Sequence, residues 1–260
     1  MRWSPPGWNV MVGFGLANVG RAAIEVTGRR HRSVGAAEDV TYPGRGPVVL
    51  LGGMCETGPC LEPMSRWLTR LGYDVTPFTL GAGMGCAQRT VDSLTRRVRA
   101  IADEAGEPVR VIGHSRGGQF GRAVSAAAPE SVAQLITIGT PFDRFGLTPS
   151  MALVAWGMAA AGTAGMPGLF GLECMVGRCC AGFRDTLRAP WPADVPFTSI
   201  YSRTDGAVPW RSSHDPHARN VVVPGGHIAQ LTSAAIQRAV AAELSLLRHD
   251  TGLRESPAPS

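Results

Sequence analysis

The apolar residues of this chain fall into two rhythms that alternate along most of its length. Short runs at Pro47–Leu51 (PVVLL), residues 73–79, Val109–Gly113 and residues 134–139 read as strands, the unbroken ones as strands buried on both faces, since a half-wet strand alternates. Between them, residues 61–71, 88–105 and 116–127 place apolar side chains three and four positions apart, the period of a helix lying on a sheet. Two later runs, Phe197–Tyr201 (FTSIY) and Val221–Val223, are again strand-like. Ile228, Leu231, Ala235, Ile236, Ala239, Val240 and Leu244 then follow at helical spacing. This alternation predicts an α/β protein with a mostly parallel central sheet flanked by helices.

The rhythm breaks twice. Over residues 1–44, Trp8, Met11, Val12, Gly15, Leu16, Val19 and Ala22 recur at helical spacing opposite Asn9, Asn18, Arg21 and Glu25, which predicts an amphipathic helical extension. A signal peptide is the rival reading, weakened by early prolines and the lack of a small-x-small cleavage pattern. The second break is longer. Between Thr140-Pro141 and the Phe197 run lie more than fifty residues where one helix would suffice, and Phe145 to Leu172 carries no charge. The expectation for about 142–195 is an apolar cap, with Trp156, Met158, Met166, Leu169 and Phe170 lining a substrate pocket. A buried helix with a long loop and a membrane span are the competing readings; Pro167 and several glycines interrupt the span.

The chemistry follows from what ends each strand. Val109 to Ile112 runs into Gly113-His114-Ser115-Arg116-Gly117 and then a small-residue helix. A serine on so sharp a strand-to-helix turn needs small neighbours two positions away on each side, which Gly113 and Gly117 supply. A nucleophilic serine needs a base, and the base an orienting acid, in the order Ser, Asp, His. Asp205 follows the FTSIY strand and His227 follows the Val221–Val223 strand, so Ser115, Asp205 and His227 are the candidate catalytic residues. His31, His214, His217 and His249 lie in polar or terminal segments, and His114 reads as packing beside the serine. Asp185, Asp194 and Asp215 follow no strand. The first strand ends in Gly52-Gly53-Met54, so the backbone N–H groups of Met54 and Arg116 are the candidate oxyanion donors.

Over roughly residues 47–247 the chain resembles the α/β-hydrolase superfamily, and within it the bacterial lipases and esterases. The resemblance is carried by LLGGM, IGHSRGG, ITIGTPF, IYSRTDGAVPW and GGHI. Gly52-Gly53 stands where many relatives have His-Gly, and Arg116 where methionine or glutamine is more usual. The resemblance implies an α/β-hydrolase domain over 45–249 with a lid insertion, and serine-mediated cleavage of carboxylic esters with no cofactor. An acyltransferase or cyclase using the same triad, and a ligand-binding protein that only keeps the fold, remain as alternatives.

Composition sharpens this at the margins. The 260 residues are 44% hydrophobic, enough for one full domain. All 25 basic residues are arginine, a coding bias of GC-rich genomes, and the net charge of +5 is dispersed. Only Arg29-Arg30-His31-Arg32 and Arg96-Arg97-Val98-Arg99 cluster, without a nucleic-acid motif, so nucleic-acid binding is not expected. Attraction to anionic lipid surfaces is compatible with the charge. The expected partner is an apolar ester or acyl substrate. A cytoplasmic location is favoured over a secreted or membrane-associated one. The six cysteines show no paired CxxC, so no metal is expected; free thiols and one to three disulfides, such as Cys55 to Cys60, both stand. The Ser- and Pro-rich end, 250–260, reads as disordered.

Overall fold

The computed structural model describes residues 44–54, 56–79, 85–143 and 146–250, with side chains as far as residue 246. Apart from Gly44 and Asp250, the expected N-terminal helix and the 250–260 tail lie outside them. Six strands, β1 (Pro47–Leu51), β2 (Asp74–Phe78), β3 (Val109–His114), β4 (Val132–Ile138), β5 (Phe197–Tyr201) and β6 (Arg219–Val222), form one sheet in the order β2-β1-β3-β4-β5-β6. Every neighbouring pair is parallel. The chain moves outward from β1 to β2, then returns to add β3 on the other side. That reversal opens a crevice at the carboxyl ends of β1 and β3, where such sheets hold ligands.

Helices α1 (Gly58–Arg70), α2 (Ala87–Ala105) and α3 (Arg116–Ala127) follow the first three strands. After β4 come α4 (Pro149–Thr163), α5 (Leu172–Met175) and α6 (Ala181–Thr186); α7 (Trp210–Ser213) lies between β5 and β6, and α8 (Ala234–Asp250) closes the chain. Successive strand residues point to opposite faces, so β1 feeds two cores. Val49 and Leu51 join Val91, Val98, Phe120 and Leu135 beneath α2 and α3. Val48 and Leu50 join Leu61, Trp67, Ile112, Ile136 and Val240 beneath α1 and α8. The outer strands are half exposed, and Pro77 is tolerated in β2 because that strand is an edge.

Two boundaries differ from the sequence reading. The last strand is Arg219–Val222, not Val221–Val223: at a sheet edge Arg219 reaches Glu243 at 2.9 Å and Asn220 donates to the Asp215 carbonyl at 2.7 Å, so polar residues extend it. The helix expected from Ile228 is a 3-10 turn, Ile228–Thr232, broken by an extended Ser233 before α8.

The insertion between β4 and β5 is short helices, not a span: among the described residues no helix is long and apolar enough to cross a membrane. Its anchor is Arg122 of α3, a 1% exposed guanidinium that donates through Nε to the Thr186 carbonyl at 3.1 Å and through Nη2 to the Ala189 carbonyl at 2.8 Å. Its Nη1 lies 3.1 Å from Oδ2 of the buried Asp215, an ion pair by distance though misaligned as a hydrogen bond.

Candidate active site

Ser115 has φ 50° and ψ −122°, the one positive φ outside glycine among the described residues. The strained conformation is held by its neighbours. A Cβ on Gly113 would come within 2.5 Å of the Gly118 Cα, and one on Gly117 would run into the Leu51 and Gly52 carbonyls. Close passage, not φ, requires glycine at both positions. It presses the turn after β1 against the elbow, so that a Cβ on Gly53 would sit 3.0 Å from the Ser115 Cβ.

The three residues expected to act together meet. His227 Nε2 lies 3.0 Å from Ser115 Oγ, and His227 Nδ1 lies 2.7 Å from Asp205 Oδ2. An ionised carboxylate only accepts, so Nδ1 carries the proton and Nε2 is the acceptor facing the serine hydroxyl. Asp205 is itself fully engaged: Oδ1 accepts the N–H groups of Ala207 and Val208 at 2.8 Å each, and Oδ2 accepts Gln230 Nε2 at 3.0 Å. Burial pushes the Asp205 carboxyl up, but the His227 hydrogen bond and charge, with the two N–H groups, hold it below the ordinary carboxylate range.

Met54 and Arg116 line the same cavity as Ser115 and His227. Arg116 is the first residue of α3, so its N–H has no partner within the helix. The Arg116 guanidinium lies half-buried between the rings of Phe120 and Phe170, 5.2 and 5.1 Å from their centroids.

His114 is more than packing. It is 1% exposed; Nδ1 lies 2.6 Å from Glu56 Oε1, and Nε2 lies 3.2 Å from the His227 carbonyl. The carbonyl can only accept, so Nε2–H donates to it. Glu56 in turn accepts the Gly53 N–H through Oε2 at 2.5 Å. The pair thereby ties the Gly52-Gly53-Met54 turn to the His227 loop. Burial opposes both charges, yet the partners prevail: His114 is raised by the Glu56 carboxylate and Glu56 is lowered by His114 and the Gly53 N–H. Glu56 and Gln230 escaped the sequence reading because their roles rest on contacts with distant segments, His114 and Asp205, that no local motif marks.

Of the five expected lining residues, Trp156 and Phe170 border the cavity; Met158, Met166 and Leu169 do not, and Met166 is 57% exposed. Met151, Ala152, Ala155 and Met175 take their places. Helix α4 is apolar on every side, so its sequence carries no mark of which face turns inward. The cavity opens to solvent and has a volume of about 140 Å³. The rival residues are elsewhere: Asp185, Asp194, His214 and His217 are exposed, Asp215 pairs with Arg122, and His31 and the His249 side chain lie outside the described residues.

The cysteines depart from expectation. Cys60 is exposed and Cys55 lies outside the described residues, but Cys86, Cys174, Cys179 and Cys180 converge with their sulfurs all within 4.8 Å of one another. Chain spacing hid this, because Cys86 precedes α2 and the other three belong to the insertion.

No family model and no curated protein matches the chain. Solved structures do. A soluble variant of monoglyceride lipase from Saccharomyces cerevisiae superposes with a TM-score of 0.59 at 15% identity, covering 80% of this chain and 87% of that one. A structure from work on the metagenome-derived lipolytic enzymes LipS and LipT gives 0.58 at 16%, covering 80% and 96%. Lipase BlEst2 from Bacillus licheniformis gives 0.57 at 18%, covering 80% and 93%.

Proposed function

We propose that this chain, which has the α/β-hydrolase fold, is a serine hydrolase that cleaves carboxylic esters with apolar acyl groups. The observation that carries the reading is the relay from Asp205 through His227 to Ser115, at 2.7 and 3.0 Å, opening into an apolar cavity. His227 Nε2 takes the Ser115 proton as Oγ attacks the ester carbonyl, and Asp205 holds the tautomer and stabilises the imidazolium. The Met54 and Arg116 N–H groups receive the oxyanion, each donor contributing about 3 kcal/mol to the transition state. His227 then protonates the leaving alcohol and activates the water that releases the acid. Met151, Ala155, Trp156 and Phe170 form the acyl wall. The solvent-facing Leu153, Val154, Met166 and Val176 of the insertion support contact with a lipid–water surface.

The test is hydrolysis of p-nitrophenyl esters from acetyl to palmitoyl by the native chain and Ser115→Ala. Turnover by the native protein alone, rising with acyl length beyond acetyl, is the expected result. Activity retained without Ser115 overturns the nucleophile. Consumption of the ester only when an alcohol or amine is added moves the chemistry to acyl transfer.

A further inference from the structure

Cys86 stands at the N-terminal cap of α2, Cys174 lies in α5, and Cys179 and Cys180 lie on the stretch that leads from α5 into α6. Their sulfurs are separated by 3.5 Å for Cys86 and Cys179, 3.6 Å for Cys86 and Cys180, and 3.8 Å for Cys174 and Cys179 as for Cys180 and Cys179. Four sulfurs about 2.3 Å from one zinc ion at the corners of a tetrahedron lie about 3.8 Å apart. A disulfide needs about 2.05 Å. Four of the six separations thus match the edge length of a tetrahedral tetrathiolate site, and all six lie within 4.8 Å, rather than pairing as crosslinks.

We propose that Cys86, Cys174, Cys179 and Cys180 bind one zinc ion, which fastens the insertion to the start of α2 and forms part of the wall of the acyl cavity. Binding takes four thiols and one divalent ion to a tetrathiolate of charge −2 and releases four protons to solvent. Three features of the surroundings suit that anion. Cys86 caps the N-terminus of α2, where the unpaired backbone N–H groups of the first turn favour negative charge. The Arg184 guanidinium clamps the ligand stretch, donating through Nη1 to the Cys174 carbonyl at 2.8 Å and through Nη2 to the Gly177 carbonyl. The third is Arg116. Its Nε has no hydrogen-bond partner, and it makes no ion pair with a carboxylate among the described residues. Its side chain shares the cavity wall with Cys174. A half-buried cation without a carboxylate, one of its N–H groups out of solvent and unpartnered, is costly. An anionic tetrathiolate beside it removes the anomaly.

The site has a structural character: all four positions are sulfur, leaving no coordination place for substrate or water. Cys174 and Arg116 also line the cavity, so the metal fixes the wall nearest the proposed nucleophile. The assignment does not depend on the esterase reading, and its test reads metal alone.

The reduced, untagged full chain is titrated anaerobically with cobalt(II) and then with zinc. The expected result is one cobalt per chain, the visible absorption of a tetrahedral tetrathiolate, and its loss on displacement by one equivalent of zinc. Cys60→Ser keeps the spectrum. Cys174→Ser loses its four-thiolate signature, and Arg116→Met weakens zinc binding about 10- to 100-fold. Native protein that gives no tetrathiolate spectrum after full reduction overturns the site. Unchanged affinity in Arg116→Met overturns the charge pairing. Esterase activity plays no part in either judgement.

Discussion

The elbow at the end of β3 and the insertion that lines the cavity beside it are held in place by different means. The elbow is fixed by backbone: Gly113 and Gly117 admit neighbouring main chain that no Cβ could share, and the Ser115 N–H donates to the Ile138 carbonyl at 2.8 Å. The insertion is fixed by a few polar ties set in an apolar surface, among them Arg122 with the Thr186 and Ala189 carbonyls and Arg188 with the His214 carbonyl at 3.0 Å. Tight backbone geometry leaves little freedom to the residues that would do chemistry. Side-chain ties allow the cavity wall to differ in shape without moving the serine.

The largest way to break that contrast is within the relay. Asp205→Asn leaves the backbone in place but removes the acceptor that sets the His227 tautomer; kcat falls about 10⁴-fold, with KM nearly unchanged, in p-nitrophenyl ester assays. On the other side, Arg122→Met leaves Asp215 as an uncompensated buried charge. It lowers stability by about 4 kcal/mol in urea unfolding, roughly a 10³-fold change in the folding constant. A loss of activity from this variant with unfolding unchanged would contradict the anchoring role.

Ala155→Trp sharpens the comparison from within the cavity. The added ring fills acyl space while Ser115 stays put, so kcat/KM for palmitoyl esters falls about 100-fold relative to acetyl. Equal losses on both substrates would mean that Ala155 does not report acyl length.

The smallest effect concerns the tie that joins the two β-strand turns. Glu56→Gln removes the carboxylate between the Gly53 N–H and His114, lowering kcat on the order of 10-fold as the Gly52-Gly53-Met54 turn and the His227 loop lose their common support. The pH signature is specific. His114 is raised above its ordinary 6.5, so its contribution to stability is full below that pH and is lost as pH rises through the raised value. Glu56 is lowered below 4.5, so its contribution is full above 4.5 and is lost as pH falls through the lowered value. Native stability from this pair is therefore greatest between about 4.5 and 6.5, and Glu56→Gln flattens both flanks in unfolding measured across pH.

What could be read in advance follows the same division. The central strands, the elbow and the order Ser115, Asp205, His227 are written locally, as apolar runs ending in turns, and β1, β3, β4 and β5 lie where those runs fall to within two residues. Glu56 and Gln230 depend on contacts between distant segments, which no local period encodes. Helix α4 hid its inward face because all its faces are apolar, and the four cysteines hid their meeting because it is made by the fold rather than by spacing.

The central claim is that Ser115 is the nucleophile, and covalent labelling of the intact chain by a fluorophosphonate tests it most directly. One phosphonate per chain, mapped by peptide mass to Ser115 and absent from Ser115→Ala, is the predicted result. Label on another serine, or undiminished label in that variant, would contradict it.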